Sequence, residues 1–222
     1  MENIQEGESM KKRWKGLILI SLTALLFTGC FNITQHISKE GKDLNVFLKF
    51  SVSKSIFELS NSMGGKSDEN PCEDIFKFNE EQIINTFPKN IEAEYNKVDS
   101  ELECGYEMYM SVDTKGKEYK KLKKSNAPAL FPLVDDGEIY IKFPQSGEED
   151  EGGDQMSAAF MSTALYRLTV NRDVIDEIHE VTFNAGDESY ELSYIELPDI
   201  FIIEVPLAYW ITSSSDCELI IK

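Results

Sequence analysis

The chain has 222 residues, 41% of them apolar and 11% aromatic, with 40 acidic side chains against 22 basic ones and a formal charge of −18. That apolar and aromatic content excludes global disorder, and the length suits one domain with a sizeable core. The charge argues against nucleic-acid binding, because a surface with such a field repels phosphates and anionic headgroups alike.

The first element in chain order is a short apolar run, Gly16 to Phe27, preceded by Lys11, Lys12, Arg13 and Lys15. A basic flank followed by such a run has the form of a secretory n-region and h-region. At a rise of about 1.5 Å per residue the run covers roughly 18 Å of a hydrocarbon core of about 30 Å, too little for a stable transmembrane helix. Ahead of the bases, "MENIQEGES" carries three acids and no base, the wrong charge for the start of a signal peptide, so Met10 competes with Met1 as the true start.

The run ends in "LLFTGC", where a small residue precedes a cysteine. This resembles the lipobox of bacterial lipoproteins in its Gly29–Cys30 step. It departs from the usual pattern at Phe27, where Leu is common, although Leu26 stands one place earlier. The resemblance implies cleavage between Gly29 and Cys30, diacylglycerol on the Cys30 sulfur and often a further acyl chain on its amine. Two or three chains hold a protein firmly at a membrane, since each buried CH₂ adds about 0.8 kcal/mol. On this reading residues 1–29 are a signal peptide and residues 30–222 a single mature domain in the extracytoplasmic cell envelope. Removal of three acids and four bases moves its formal charge from −18 to −19. Phe31 after the anchor, not Asp, resembles the pattern of lipoproteins sent on to the outer membrane of Gram-negative hosts.

Beyond the anchor the strongest signals have period two. "NITQHIS" and "LNVFLKFSVS" flank "KEGKD", a turn with Gly41 available for positive φ, and predict a hairpin. Leu44, Val46, Leu48, Phe50 and Val52 fall on one face and Asn45, Lys49, Ser51 and Ser53 on the other, with Phe47 the exception on the polar side. A charge at Phe50 is therefore expected to prevent folding and one at Lys49 to be tolerated. "SKSIFELSNSMGG" and "NEEQIINTFP" read as short helices covering the sheet, the second stopped by Pro88. "CGYEMYMSV", "GEIYIKF", "ALYRLTV", "HEVTF", "YELSYIEL", "IFIIEVPL" and "CELIIK" read as strands, with Pro206 confined to an edge or a strand end. The acidic "GEEDEGGD", residues 147–154, reads as an exposed loop inside the domain. The expected fold class is α+β, a mostly antiparallel sheet with a few short covering helices, preceded by the cleaved signal helix. This order of elements, beginning with "ISKEGKDLNVFLKFSV", is faintly similar to the LppM-type domain of some bacterial lipoproteins.

The chain is poor in chemistry. "GGKS", residues 64–67, lacks the leading glycine of a P-loop, since Ser60 stands there. His36 and His179 have no Cys or His at metal-ligand spacing, and no nucleophile elbow is present. "DDGE" at 135–138 and "EEDEGGD" offer oxygen ligands for calcium without EF-hand spacing, and read as solvated loops. No cofactor and no catalytic residue is expected. With Cys30 lipidated, Cys72, Cys104 and Cys217 remain in a compartment that permits disulfides. The reading pairs Cys72 with Cys104, both near element starts in one half of the chain, and leaves Cys217 in the last strand. The leading function is a non-catalytic binding or scaffolding lipoprotein, with the membrane and an envelope component as partners. A carrier or sensor of an apolar ligand, suggested by "YEMYM" and "IFIIEVPLAYW", and a hydrolase with an unrecognised site are the alternatives.

Overall fold

A computed structural model describes residues 31–55, 72, 91–122, 129–143 and 164–222. β1 (Phe31–Glu40) and β2 (Asp43–Ser53) form the hairpin, antiparallel from Phe31 opposite Val52 to Glu40 opposite Asp43. Gly41 takes φ 62° in the turn, a left-handed conformation that a residue with a Cβ adopts at a cost. Leu44, Val46, Leu48 and Val52 are buried. Phe50 is only half-buried and stacks on Tyr106 at 5.3 Å between ring centroids. Ser51, expected on the polar face, is buried and donates to Glu103 Oε2 at 2.7 Å.

The hairpin sits in the middle of a seven-stranded sheet, sheet A. β2 pairs with β4 (Glu103–Asp113), which pairs with β3 (Glu92–Asp99). On the other side β1 runs parallel to β7 (Leu165–Asn171), followed by β11 (Ile200–Pro206) and β10 (Tyr194–Glu196), giving the order β10-β11-β7-β1-β2-β4-β3. Among the described residues the β1–β7 pairing is the one parallel contact. Pro206 closes β11, a position that requires no ladder donor beyond it.

Sheet B is antiparallel, in the order β5-β6-β12-β8-β9. Its strands are β5 (Pro132–Asp135), β6 (Glu138–Phe143), β8 (Val181–Ala185), β9 (Glu188–Glu191) and β12 (Cys217–Ile221). Ile139, Ile141, Phe143, Val181, Phe183, Leu219 and Ile221 join Ile37, Leu44, Leu168, Val170, Phe201 and Ile203 of sheet A in one continuous core. Phe143 meets Tyr166 edge-on across the two layers at 5.1 Å, a favourable aromatic geometry. Among the described residues the layer that covers sheet A is thus a second sheet. The two helices there are α1 (Lys117–Leu122) and α2 (Leu207–Ile211), each little more than a turn. No helix among the described residues is long and apolar enough to cross a membrane.

α1 has a local task. Tyr119 is buried, accepts a hydrogen bond from the Val134 backbone N–H at 2.6 Å and donates to the Val134 carbonyl at 3.2 Å. Those are β5 backbone groups, so the phenol satisfies part of an edge strand that would otherwise offer itself to another chain. Burial pushes the Tyr119 hydroxyl up to about 12. Cys72 is joined to Cys104 of β4, with Cα atoms 5.9 Å apart, and Cys217 is a buried free thiol in β12. The two helices expected over 53–65 and 79–88 lie almost wholly outside the described residues, as do the signal segment through Gly29 and Cys30, "GGKS" and the acidic stretch 147–154.

Candidate interaction face

The residues singled out by sequence scatter. His36 lies on β1 and His179 in an exposed loop beside Glu177. "DDGE" is the β5–β6 hairpin turn, with Asp136 at φ 48° and Gly137 at φ 86°. These are the conformations of a two-residue hairpin turn of the Asp-Gly type, which explains the sequence without a ligand. Among the described residues no three His, Cys, Asp or Glu side chains converge to hold a metal. The strands of "YEMYM" and "IFIIEVPLAYW" send Met108, Met110, Phe201, Ile203, Val205 and Leu207 into the core.

What the structure does assemble is the outer face of sheet A. Strand registers place seven outward side chains in one row across every strand. Ile195 lies opposite Ile202, Ile202 opposite Thr169, Thr169 opposite His36, His36 opposite Phe47, Phe47 opposite Tyr109 and Tyr109 opposite Glu94. At about 4.8 Å between strands the row is roughly 29 Å long. Tyr109 is 46% exposed and Ile195 57%. Phe47 and Tyr109 lie 4.8 Å apart between ring centroids.

The flanking rows differ in chemistry. Towards the start of β1 runs a charged row in which Arg167 pairs with Glu204 at 2.7 Å and Lys49 lies 3.8 Å from Glu107. Lys49 also reaches Glu103 at 2.6 Å. The Lys49 ammonium, then the Ser51 hydroxyl, hold the Glu103 carboxyl below its ordinary range. Towards the end of β1 the row is uncharged, with Ser111 donating to Asn45 at 2.9 Å, until Glu92 on β3. Between these rows, in the β1–β3 half, the sheet twists into an open depression of about 470 Å³. Phe47 and Tyr109 floor it, and His36, Asn45, Glu92 and Glu94 stand around it.

The sequence marked Phe47 as an aromatic residue out of place, which was the one available signal of this face. Tyr109, Glu92 and Glu94 were invisible as partners, because their juxtaposition depends on the long-range registers of β2, β3 and β4. The chain matches no protein-family model, no curated protein and no solved structure.

Proposed function

We propose that this is a lipoprotein of the bacterial cell envelope, cleaved after Gly29 and acylated on Cys30. Its sandwich is a non-catalytic binding or scaffolding module that meets another envelope component through the outer face of sheet A. In a Gram-negative host Phe31 favours delivery to the outer membrane. The anchor rests on the order of basic flank, apolar run, Gly29 and Cys30. The observation that carries the binding role is the row from Ile195 to Glu94, which keeps two apolar side chains, Ile195 and Ile202, and the aromatic pair Phe47 and Tyr109 on the solvent side of a sheet whose other side already fills the core. Apolar and aromatic side chains gathered on one solvent-facing surface, and not scattered singly, are a feature of interaction sites.

Labelling cells with a palmitate analogue tests the anchor. The full chain should take up label and Cys30→Ala should not, with uncleaved precursor accumulating in its place. Normal maturation of Cys30→Ala would sink the lipoprotein reading.

A further inference from the structure

We infer that the Phe47–Tyr109 depression takes the cationic side chain of an arginine or lysine on a partner polypeptide, held between the aromatic floor and the carboxylates of Glu92 and Glu94. This rests on the reading of the outer face of sheet A as the partner surface and names what that surface recognises. Glu92 and Glu94 stand two residues apart on β3, so both point outward on the same side of the strand, about 7 Å from each other. Both are exposed, and among the described residues no cation lies within ion-pair distance of either. The contrast with the neighbouring row is informative, since there Glu103 and Glu107 share Lys49, and Glu204 has Arg167.

The register sets Glu94 beside Tyr109 and Glu92 beside Ser111, so the two carboxylates rim the aromatic pair instead of pointing away from it. A cation over the Tyr109 ring gains attraction from the ring face and from both carboxylates at once. A planar guanidinium suits the site better than an ammonium, because it can stack on the ring while its edge donates to a carboxylate. The depression is open to solvent on the sheet face, so a side chain projecting from a protein surface can reach its floor. The chain's formal charge of −18 adds a long-range pull on any basic partner.

The test uses the full chain in a non-ionic detergent and a fluorescein-labelled oligo-arginine peptide, followed by anisotropy at low salt. Glu92→Gln/Glu94→Gln should weaken binding by about tenfold and Tyr109→Leu by about threefold. Oligo-lysine should bind more weakly than oligo-arginine, and the two should converge in Tyr109→Leu. Asp173→Asn/Asp176→Asn removes the same charge from loops away from the depression and should leave the affinity close to that of the unmodified chain. Equal losses in the two double variants would mean attraction to net charge alone and would overturn the proposal, as would unchanged affinity in Glu92→Gln/Glu94→Gln. Should that double variant fail to fold by circular dichroism, Tyr109→Leu decides alone. Acylation plays no part in the measurement, so failure of palmitate labelling at Cys30 and failure of peptide binding are separate outcomes.

Discussion

The hydroxyl of Tyr166 donates a hydrogen bond to Oε1 of Gln35 in the middle of the sandwich, and both side chains are fully buried. Gln35 passes the connection on, donating from Nε2 to the Leu130 carbonyl at 2.9 Å just ahead of β5. One polar chain therefore ties β7 and β1 of sheet A to the entry of sheet B. Burial raises the Tyr166 hydroxyl well above its ordinary value, which favours the protonated, donating form. Tyr166→Phe should cost about 1–3 kcal/mol, because it leaves a buried amide oxygen without its donor. Thermal melts of the two proteins measure this directly. A change within error would mean that Gln35 finds another donor.

Gly105 is required by the approach of β2 to β4. A Cβ built on it would lie 2.0 Å from the Phe50 carbonyl oxygen and 2.7 Å from the Ser51 Cα, both of them backbone atoms that cannot turn aside. Gly105→Ala must therefore push two paired strands apart, and it should cost at least about 3 kcal/mol or prevent folding. Gly41→Ala meets nothing within 4 Å and carries only the strain of φ 62°, about 1–2 kcal/mol. Chemical denaturation of the pair should rank them in that order.

Lys49 was expected to tolerate an acidic replacement, and the structure corrects this. Its ammonium sits 2.6 Å from Glu103 and 3.8 Å from Glu107, so Lys49→Asp would bring three carboxylates together. The pH dependence follows from Glu103. Its carboxyl is lowered from an ordinary value of 4.5 by Lys49 and then by Ser51, so it contributes stability above that value and loses it as pH falls through the lower folded one. The gap in stability between Glu103→Gln and the unmodified chain should be open at pH 7 and narrow as the pH falls below 4.5. A gap that stays constant with pH would show that the carboxylate charge is immaterial.

The Cys72–Cys104 bridge spans a separation of 32 residues. In the chain-entropy model a loop of that size is worth about 3–4 kcal/mol. Cys72→Ser/Cys104→Ser should lose stability on that scale, while Cys217, buried in β12, should resist alkylation until the protein is unfolded. Non-reducing peptide mapping should give one peptide joining Cys72 to Cys104. A bridge to Cys217 would contradict the arrangement of β12 between β6 and β8.

The parts of the fold legible in the sequence are those fixed by local alternation. β2, β4 and β6 each place apolar side chains at every second position, β1 does so from Phe31 to Ile37 except at Gln35, and the EGK and DG turns mark the β1–β2 and β5–β6 hairpins. β3 escaped notice because "EAEYNKVD" carries charge on both faces, as an edge strand can. "YELSYIEL" reads as one strand but is two: β9 belongs to sheet B and β10 to sheet A, with Leu192 and Ser193 crossing between the layers. No period in a sequence announces such a crossing. The parallel pairing of β1 with β7 joins residues far apart in the chain, and the row of outward side chains exists only once that pairing and the register of β4 are set.

β1 is the fourth of seven strands in sheet A, and its first residue follows Cys30 directly in sequence. With an anchor at that cysteine, tension between the membrane and anything gripping the sheet face enters the domain along the axis of its central strand. Pulled this way, β1 cannot peel from its neighbours one rung at a time. The ladder from Phe31 to Glu40 against β2, and the run from Asn32 to Ile37 against β7, must slide in shear with all rungs loaded together. An edge strand such as β10 or β3 in the same position would have had a neighbour on one side only. If Cys30 carries the proposed anchor, the topology places its load on a strand paired on both sides and resists it in shear.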